Sequence, residues 1–435
     1  MTPLPFNQRP SPLFLGIDFG TSGVRACVIA PGGEIDAFER VDFGHVEADE
    51  AAGLWSEALF SVIAALPAGS RRRIAALALD GTSGTVLACD EALNPTHPPL
   101  LYDDSRASAE AALIARAGGS DSPAASPSSG LAKVLWLKAR LGLTRARLYL
   151  NQADWLTGLL SDRVGLSDYH NALKLGFDVE TLRWPEWVEY LADVDYLPQV
   201  LAPGNAIACI ARPRARQLGL DPDCLVRAGT TDSIAAFIAA GVREPGEAVT
   251  SLGSTLVLKL LSDTRVESGR YGVYSHWYGD LWLAGGASNT GGRVLRQHFA
   301  DQELETLSQC IDPETDSGLD YYPLPCPGER FPFSDPSMPP RIAPRPAERH
   351  RFLQGLLEGL AKVEALGYAR LQELGATPVK SVTSSGGGAR NPVYTRLRER
   401  RLGVLVRVAA QHESAYGAAC LARDGTDLFP HKEHG

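Results

Sequence analysis

The stretch Leu13-Phe-Leu-Gly-Ile-Asp-Phe-Gly-Thr-Ser-Gly-Val-Arg-Ala-Cys-Val-Ile29 constrains the fold most. One apolar run leads to Asp18 and the turn Gly20-Thr21-Ser22-Gly23, and a second follows from Val24 to Ile29. Two β-prone runs around a short Gly/Ser/Thr turn predict a hairpin. The turn offers backbone N–H groups and hydroxyls beside a carboxylate, a concavity that suits a phosphate and its metal ion. An ordinary hairpin would use the same residues for the turn alone.

The pattern returns twice, in altered form. Ile74 to Cys89 reads strand, Asp80, Gly-Thr-Ser-Gly, strand, and Val249 to Lys259 is a third version. Their uneven spacing argues against a solenoid and for hairpins from the sheets of two related lobes. Between them, Leu131–Leu141 has apolar residues at helical spacing, after a Ser/Pro/Gly loop from Gly118 to Gly130. The proline-dense Tyr322–Glu348 predicts an extended surface segment, and a long helix is expected from Arg351 to Leu374. Next come a predicted strand Val379–Thr383, the glycine turn around Gly386-Gly-Gly388 and a helix Val393–Arg401, an arrangement suited to approach a nucleotide. Small residues in Glu413–Ala422 predict a closely packed helix. The expected class is α/β with mixed sheets.

At 435 residues the chain is long enough for two or three domains, and 44% hydrophobic with 21% charged residues is a globular composition. A net charge of -9 leaves no general basic surface for nucleic acid. The basic runs Arg71–Arg73 and Arg396–Arg401 read as solvated faces. Seven scattered cysteines without C-x-x-C pairs read as reduced thiols. Neither a signal peptide nor an apolar run of membrane-spanning length is recognised, so the expectation is a cytoplasmic protein with a loose extension at residues 1–12 and no membrane partner.

The Walker A pattern and the G-x-G-x-x-G layout are absent, so a nucleotide would bind by another architecture. Asp232 is delivered by a strand and turn to the start of an apolar helix. Such a carboxylate can cap the helix, but Thr230, Thr231 or Ser233 could cap it equally well, which leaves Asp232 available as an acid or base. Phosphoryl transfer to an alcohol needs a base, a metal ion and donors around the moving group. Asp232, Asp18 and the turn Gly20–Gly23 supply one of each. Arg25 could add positive charge or serve a structural partner, and His170 and His276 read as isolated packing residues.

Taken in order, the segments resemble the FGGY carbohydrate kinases of the actin-like, hexokinase-like ATPase superfamily. The matching pieces are Asp18 to Arg25, Tyr102-Asp-Asp-Ser-Arg106, Asp154-Trp-Leu-Thr-Gly158, Asp232 with its helix, Ser251 to Ser254, Gly328 to Pro332, Ser385 to Asn391 and Tyr416 to Ala419. The resemblance implies two ribonuclease-H-like lobes with an inter-lobe ATP cleft. The sugar lobe would span 13–240 and be completed by 412–435; the ATP lobe would span 241–411. It further implies that Asp18 holds Mg²⁺ through water, Thr21 faces the γ-phosphate and Asp232 deprotonates the sugar. Ser22, Gly23 and Arg25 would line the sugar with Asp18 and Asp232. Gly20, Thr21, Gly253, Ser254, Asn289 and Gly291 would line the phosphates, and Gly387 and Asn391 would hold the adenosine.

One departure bears on the acceptor. Where xylulose kinases carry a Met-His pair against the sugar, this chain has Asp80-Gly-Thr-Ser-Gly-Thr85, and with Ser167 to Gly176 it resembles the small cyanobacterial and plant D-ribulose kinases. In that group a serine matching Ser83 meets the sugar. The expectation is therefore an ATP- and Mg²⁺-dependent kinase, monomer or dimer, that converts D-ribulose to D-ribulose 5-phosphate. It would sit in the cytoplasm, or in the plastid stroma for a plant-type lineage. The alternatives are a kinase of xylulose or another ketose or polyol, and a silent ATP-binding regulator, against which the joint retention of Asp18 and Asp232 argues.

Overall fold

The computed structural model describes residues 11–44, 46–141 and 146–430, so most of the expected N-terminal extension lies outside the described residues. The chain divides into two compact units. The first runs to Ala239 and takes back Glu413–Leu428; the second is Ala240–His412, joined by Phe429 and Pro430. Among the described residues no helix is long and apolar enough to cross a membrane.

In the first unit, β1 (Leu13–Phe19), β2 (Gly23–Ile29) and β3 (Ile35–Asp42) form an antiparallel meander, and β4 (Ile74–Gly81) runs parallel to β1 on its other side. β5 (Val86–Cys89) pairs with β6 (Leu148–Asn151), and β7 (Leu166–Asp168) with β8 (Gln199–Leu201), outside the main sheet. β9 (Ala206–Cys209) and β10 (Leu225–Arg227) extend that sheet to the order β3-β2-β1-β4-β10-β9, while β11 (Thr230–Thr231) lies beside the end of β4. Leu13, Leu15, Ile17 and Phe19 are fully buried in a core shared with Trp55, Leu59, Val62 and Ile63 of the helix Ala48–Ala65. The helix Ser414–Asp424 packs against β1 beside Gly16, so β1 is apolar along its length because both faces are covered.

The segment Ile74–Cys89 is not the expected hairpin. β4 has β1 on one edge and β10 and β11 on the other, so its successor has no free edge to occupy. The chain instead turns at Gly84, whose φ of 88° is left-handed, and Val86 exchanges backbone hydrogen bonds with Leu100.

In the second unit, β12 (Glu247–Leu252), β13 (Leu256–Ser262), β14 (Tyr274–Tyr278), β15 (Leu281–Ser288), β16 (Ser381–Ser385) and β17 (Leu405–Val408) take the order β14-β15-β13-β12-β16-β17. As with β1, the central β12 has an antiparallel neighbour on one side and a parallel one on the other. The expected hairpin at Val249–Lys259 is present as β12 and β13. β16 starts two residues later than its sequence suggests, and the long helix is Arg349–Glu373. Tyr322–Glu348 contains no helix or strand, yet it is more than a surface wrap. It carries Tyr322, Leu324 and Phe331 into the core.

The run Arg396–Arg401 is not simply a solvated face. Arg398 is wholly buried, bonding Glu364 through Nε at 2.6 Å and Nη2 at 2.7 Å, and Ser384 through Nη1 at 2.6 Å. The hydroxyl of Thr250 donates to the same Glu364, so one ion pair ties together β12, β16 and the helices Arg349–Glu373 and Pro392–Leu402.

Candidate active site

The parallel register of β1 and β4 sets Asp18 opposite Asp80, and that of β4 and β11 sets Asp80 opposite Thr230, two residues before Asp232. Three carboxylates are thereby collected at one end of one sheet. Asp18 is nearly buried, and desolvation raises its pKa while a hydrogen bond with the Asp80 carboxyl and the Arg25 cation pull it back down. Asp80 is wholly buried and pushed well above the usual carboxylate range by burial and by the charges of Asp18 and Asp232. Apart from the neighbouring Asp18 carboxylate, close enough to share a proton with it, no group among the described residues hydrogen-bonds to either of its oxygens.

Arg25 lies across from Asp18 on β2. Its Nη1 is 3.3 Å from Asp18 Oδ2 and its Nε 3.5 Å from Glu413 Oε2, so its charge is shared within the site. Asp232 opens the helix Asp232–Ala239, half-buried, and its Oδ1 accepts from Ser233 N at 2.6 Å. Gly20, Thr21 and Ser22 form the exposed to half-exposed turn, and the buried Gly23 starts β2. Tyr102 carries a raised pKa, caused by burial and then by the charges of Asp103 and Asp232.

Ser83 sits half-buried at the tip of the turn after β4. That turn is held from two directions. Gln152 Oε1 accepts from Thr82 N at 3.0 Å and from Thr82 Oγ1 at 2.9 Å. From the helix Gly130–Leu141, the buried Lys133 Nζ donates to Gly84 O at 2.7 Å and to Leu101 O at 2.6 Å. Burial pushes the Lys133 pKa down to about 8. The lysine thus fixes both the Ser83 turn and the start of the Tyr102 loop. Nor is His170 isolated, since its Nδ1 lies 2.8 Å from Thr230 Oγ1 and so braces the strand that delivers Asp232.

In the second unit, the ends of β12 and β16 open onto a pocket of about 960 Å³. Gly253, Ser254, Gly291, Gly387 and Asn391 line it, and Leu353 and Leu357 supply apolar wall. Glycine backbone beside leucine wall suits a ligand with a polar and a flat apolar end. Asn391 caps the helix Pro392–Leu402 through Oδ1 to Tyr394 N at 3.1 Å and donates from Nδ2 to Ser308. Asn289 differs from the other sequence candidates. It is not among the lining residues; its backbone N–H donates to Glu329 Oε1 at 2.8 Å and its side-chain Nδ2 to Gly328 O at 3.0 Å.

Sequence reasoning gave no role to Asp80 or Lys133. For Asp80 the signal was present, since it sits near the end of its strand as Asp18 does in β1, but only the register shows the two side by side. Lys133 left no comparable signal among the apolar residues of its helix.

A mixed sheet that gathers carboxylates at one end, together with a glycine-lined pocket on a second mixed sheet, defines a phosphoryl-transfer class of protein. Family comparison makes this specific. Residues 13–239 match the N-terminal domain and residues 248–423 the C-terminal domain of the FGGY family of carbohydrate kinases, and the chain belongs to that family. It is 22% identical to a gluconokinase from Bacillus subtilis, over 94% of this chain and 86% of that protein. It is likewise 22% identical to a xylulose kinase from Staphylococcus xylosus, over 95% of this chain and 91% of the other. A crystal structure described as a xyloylose kinase from Brucella ovis shares the fold with a TM-score of 0.86 at 22% identity, covering 97% of this chain and 93% of that one.

Proposed function

We propose that this carbohydrate kinase transfers the γ-phosphoryl group of ATP to the terminal hydroxyl of a neutral ketopentose, D-ribulose, giving D-ribulose 5-phosphate. The observation that carries the choice of acceptor is the charge of the acid cluster. Asp18, Asp80 and Asp232 lie together, and the Arg25 cation beside them is already shared with Asp18 and Glu413. A sugar acid would add a further carboxylate to this group, where Arg25 is already shared between Asp18 and Glu413, whereas a neutral sugar brings only hydroxyls to hydrogen-bond. Ser83, on its doubly anchored turn, favours ribulose over xylulose, for which a histidine would be expected there.

In this reading Asp232 accepts the proton of the attacking hydroxyl, and the Ser233 amide holds its carboxylate in place. Thr21, Ser22 and Gly23 offer hydroxyl and backbone donors beside Asp18. The glycines Gly253, Gly291 and Gly387 let backbone approach a polyphosphate closely, while the leucine wall takes a base. The carboxylates at the end of β1 and β4 are hard oxygen donors with two buried oxygens that receive no N–H or hydroxyl donor, and so fit a divalent cation, with Asp18 its holder. When bound, ATP with its cation supplies the phosphoryl group and neutralises its charge.

A panel of acceptors in an assay coupled to ADP release tests the proposal. D-Ribulose should give the highest kcat/KM. Faster turnover of D-xylulose, the second reading in view of the xylulose kinases among the relatives, overturns the choice of ketose, and faster turnover of D-gluconate overturns the neutral acceptor.

A further inference from the structure

We propose that Asp80 shares the divalent-cation site with Asp18, its buried carboxylate oxygens contacting the ion directly or through a bound water. The resemblance by sequence assigns the ion to Asp18 alone. Three observations carry the extension.

Asp80 is wholly buried, and among the described residues its oxygens meet only the Asp18 carboxylate and receive no N–H or hydroxyl donor. A buried carboxylate in that condition is expensive, and native proteins retain one where something outside the polypeptide completes it. Second, register places Asp80 directly opposite Asp18 on parallel strands, so the two side chains leave the same face of the sheet at the same level. The register of β11 beside β4 sets Thr230 opposite Asp80, two residues before Asp232, so a third carboxylate lies near the pair. Third, the donors that Asp18 and Asp80 offer are all carboxylate oxygen. Two carboxylates with vacancies left for water and phosphate oxygens are what Mg²⁺ and Mn²⁺ accept.

The inference rests on the first unit alone, and its test needs neither sugar nor nucleotide, so it stands or falls separately from the kinase reading. Mn²⁺ is titrated into the full-length protein and free ion is read by electron paramagnetic resonance, for wild type, Asp80→Asn and Asp18→Asn. Wild type should show one Mn²⁺ site, and Asp80→Asn should weaken it at least about tenfold, in the range expected for groups that support a metal site. Thermal melting gives a second signature with opposite signs. In metal-free buffer Asp80→Asn should melt at or above wild type, because a buried carboxylate without an N–H or hydroxyl donor has gone. Added Mg²⁺ should raise the wild-type melting temperature by ligand linkage and leave the variant nearly unmoved. If Asp80→Asn melts lower without metal, Asp80→Ser repeats the titration in a less crowded side chain. A wild type with no Mn²⁺ site, or variants at position 80 with wild-type affinity, overturns the proposal and leaves Asp80 a protonated packing group.

Discussion

Asp232 joins a structural contact to the chemical role proposed for it, and substitution can separate the two. Its Oδ1 accepts from the Ser233 amide at the first turn of its helix, a bond that the side-chain oxygen of asparagine can also accept. Asp232→Asn should therefore preserve the helix start and remove only the base. The expected outcome is a fall in kcat of roughly two to four orders of magnitude. ATP affinity and melting temperature should stay near wild type, read by steady-state kinetics and thermal denaturation. Activity within a fewfold of wild type would make Asp232 a cap only. Asp18 and Asp232 were legible in the sequence because Asp18 ends an apolar run beside a Gly/Thr/Ser turn and Asp232 opens an apolar helix that other residues could cap. The third member, Asp80, was visible as a letter but not as a neighbour, since proximity across parallel strands 62 residues apart is a matter of register.

At the scale of elements, the predicted hairpins at Leu13–Ile29 and Val249–Lys259 formed because both partners are local and an edge was available. The intervening copy failed because strand order, which is non-local, had filled both edges of β4. Arg398 is the same lesson on a helix. Four of the six residues from Arg396 to Arg401 are arginine, and nothing local distinguishes the one that turns inward to Glu364, 34 residues away. Arg398→Met should strand a buried glutamate and cost about 3–5 kcal/mol, whereas Arg396→Ala, on an exposed face, should change stability by about 0.5 kcal/mol or less. Urea unfolding of both variants checks this. Pairing Arg398→Met with Glu364→Leu should recover much of the loss, because the uncompensated charge leaves with its partner. Equal costs at 396 and 398 would contradict the burial of the pair.

The molecule as a whole adds a constraint that no local reading contains: the first unit is closed by Glu413–Leu428, returned after the second unit has been built. The small residues of that segment were legible as a signal for close packing. What they pack against was not. The helix Ser414–Asp424 lies so near its neighbours that a Cβ on Gly417 would fall 1.8 Å from Ala235 O, in the helix that Asp232 opens, and one on Gly16 of β1 would fall 2.0 Å from Ala415 O. Both obstacles are backbone and cannot rotate away. Gly417→Ala must therefore displace the returning helix, at an expected cost of about 3 kcal/mol or more, the upper end of overpacking effects. Gly53 offers the control, since it lies within the helix Ala48–Ala65 with no atom within 4 Å of an added Cβ. Gly53→Ala should stabilise by about 0.5–1 kcal/mol through helix propensity. Melting temperatures of opposite sign for two identical glycine-to-alanine changes would isolate packing from propensity. Because Asp232 and Glu413 flank this contact, Gly417→Ala should also depress kcat at temperatures where the variant remains folded. A Gly417→Ala protein that melts and turns over like wild type would mean that the helix does not approach Ala235 this closely.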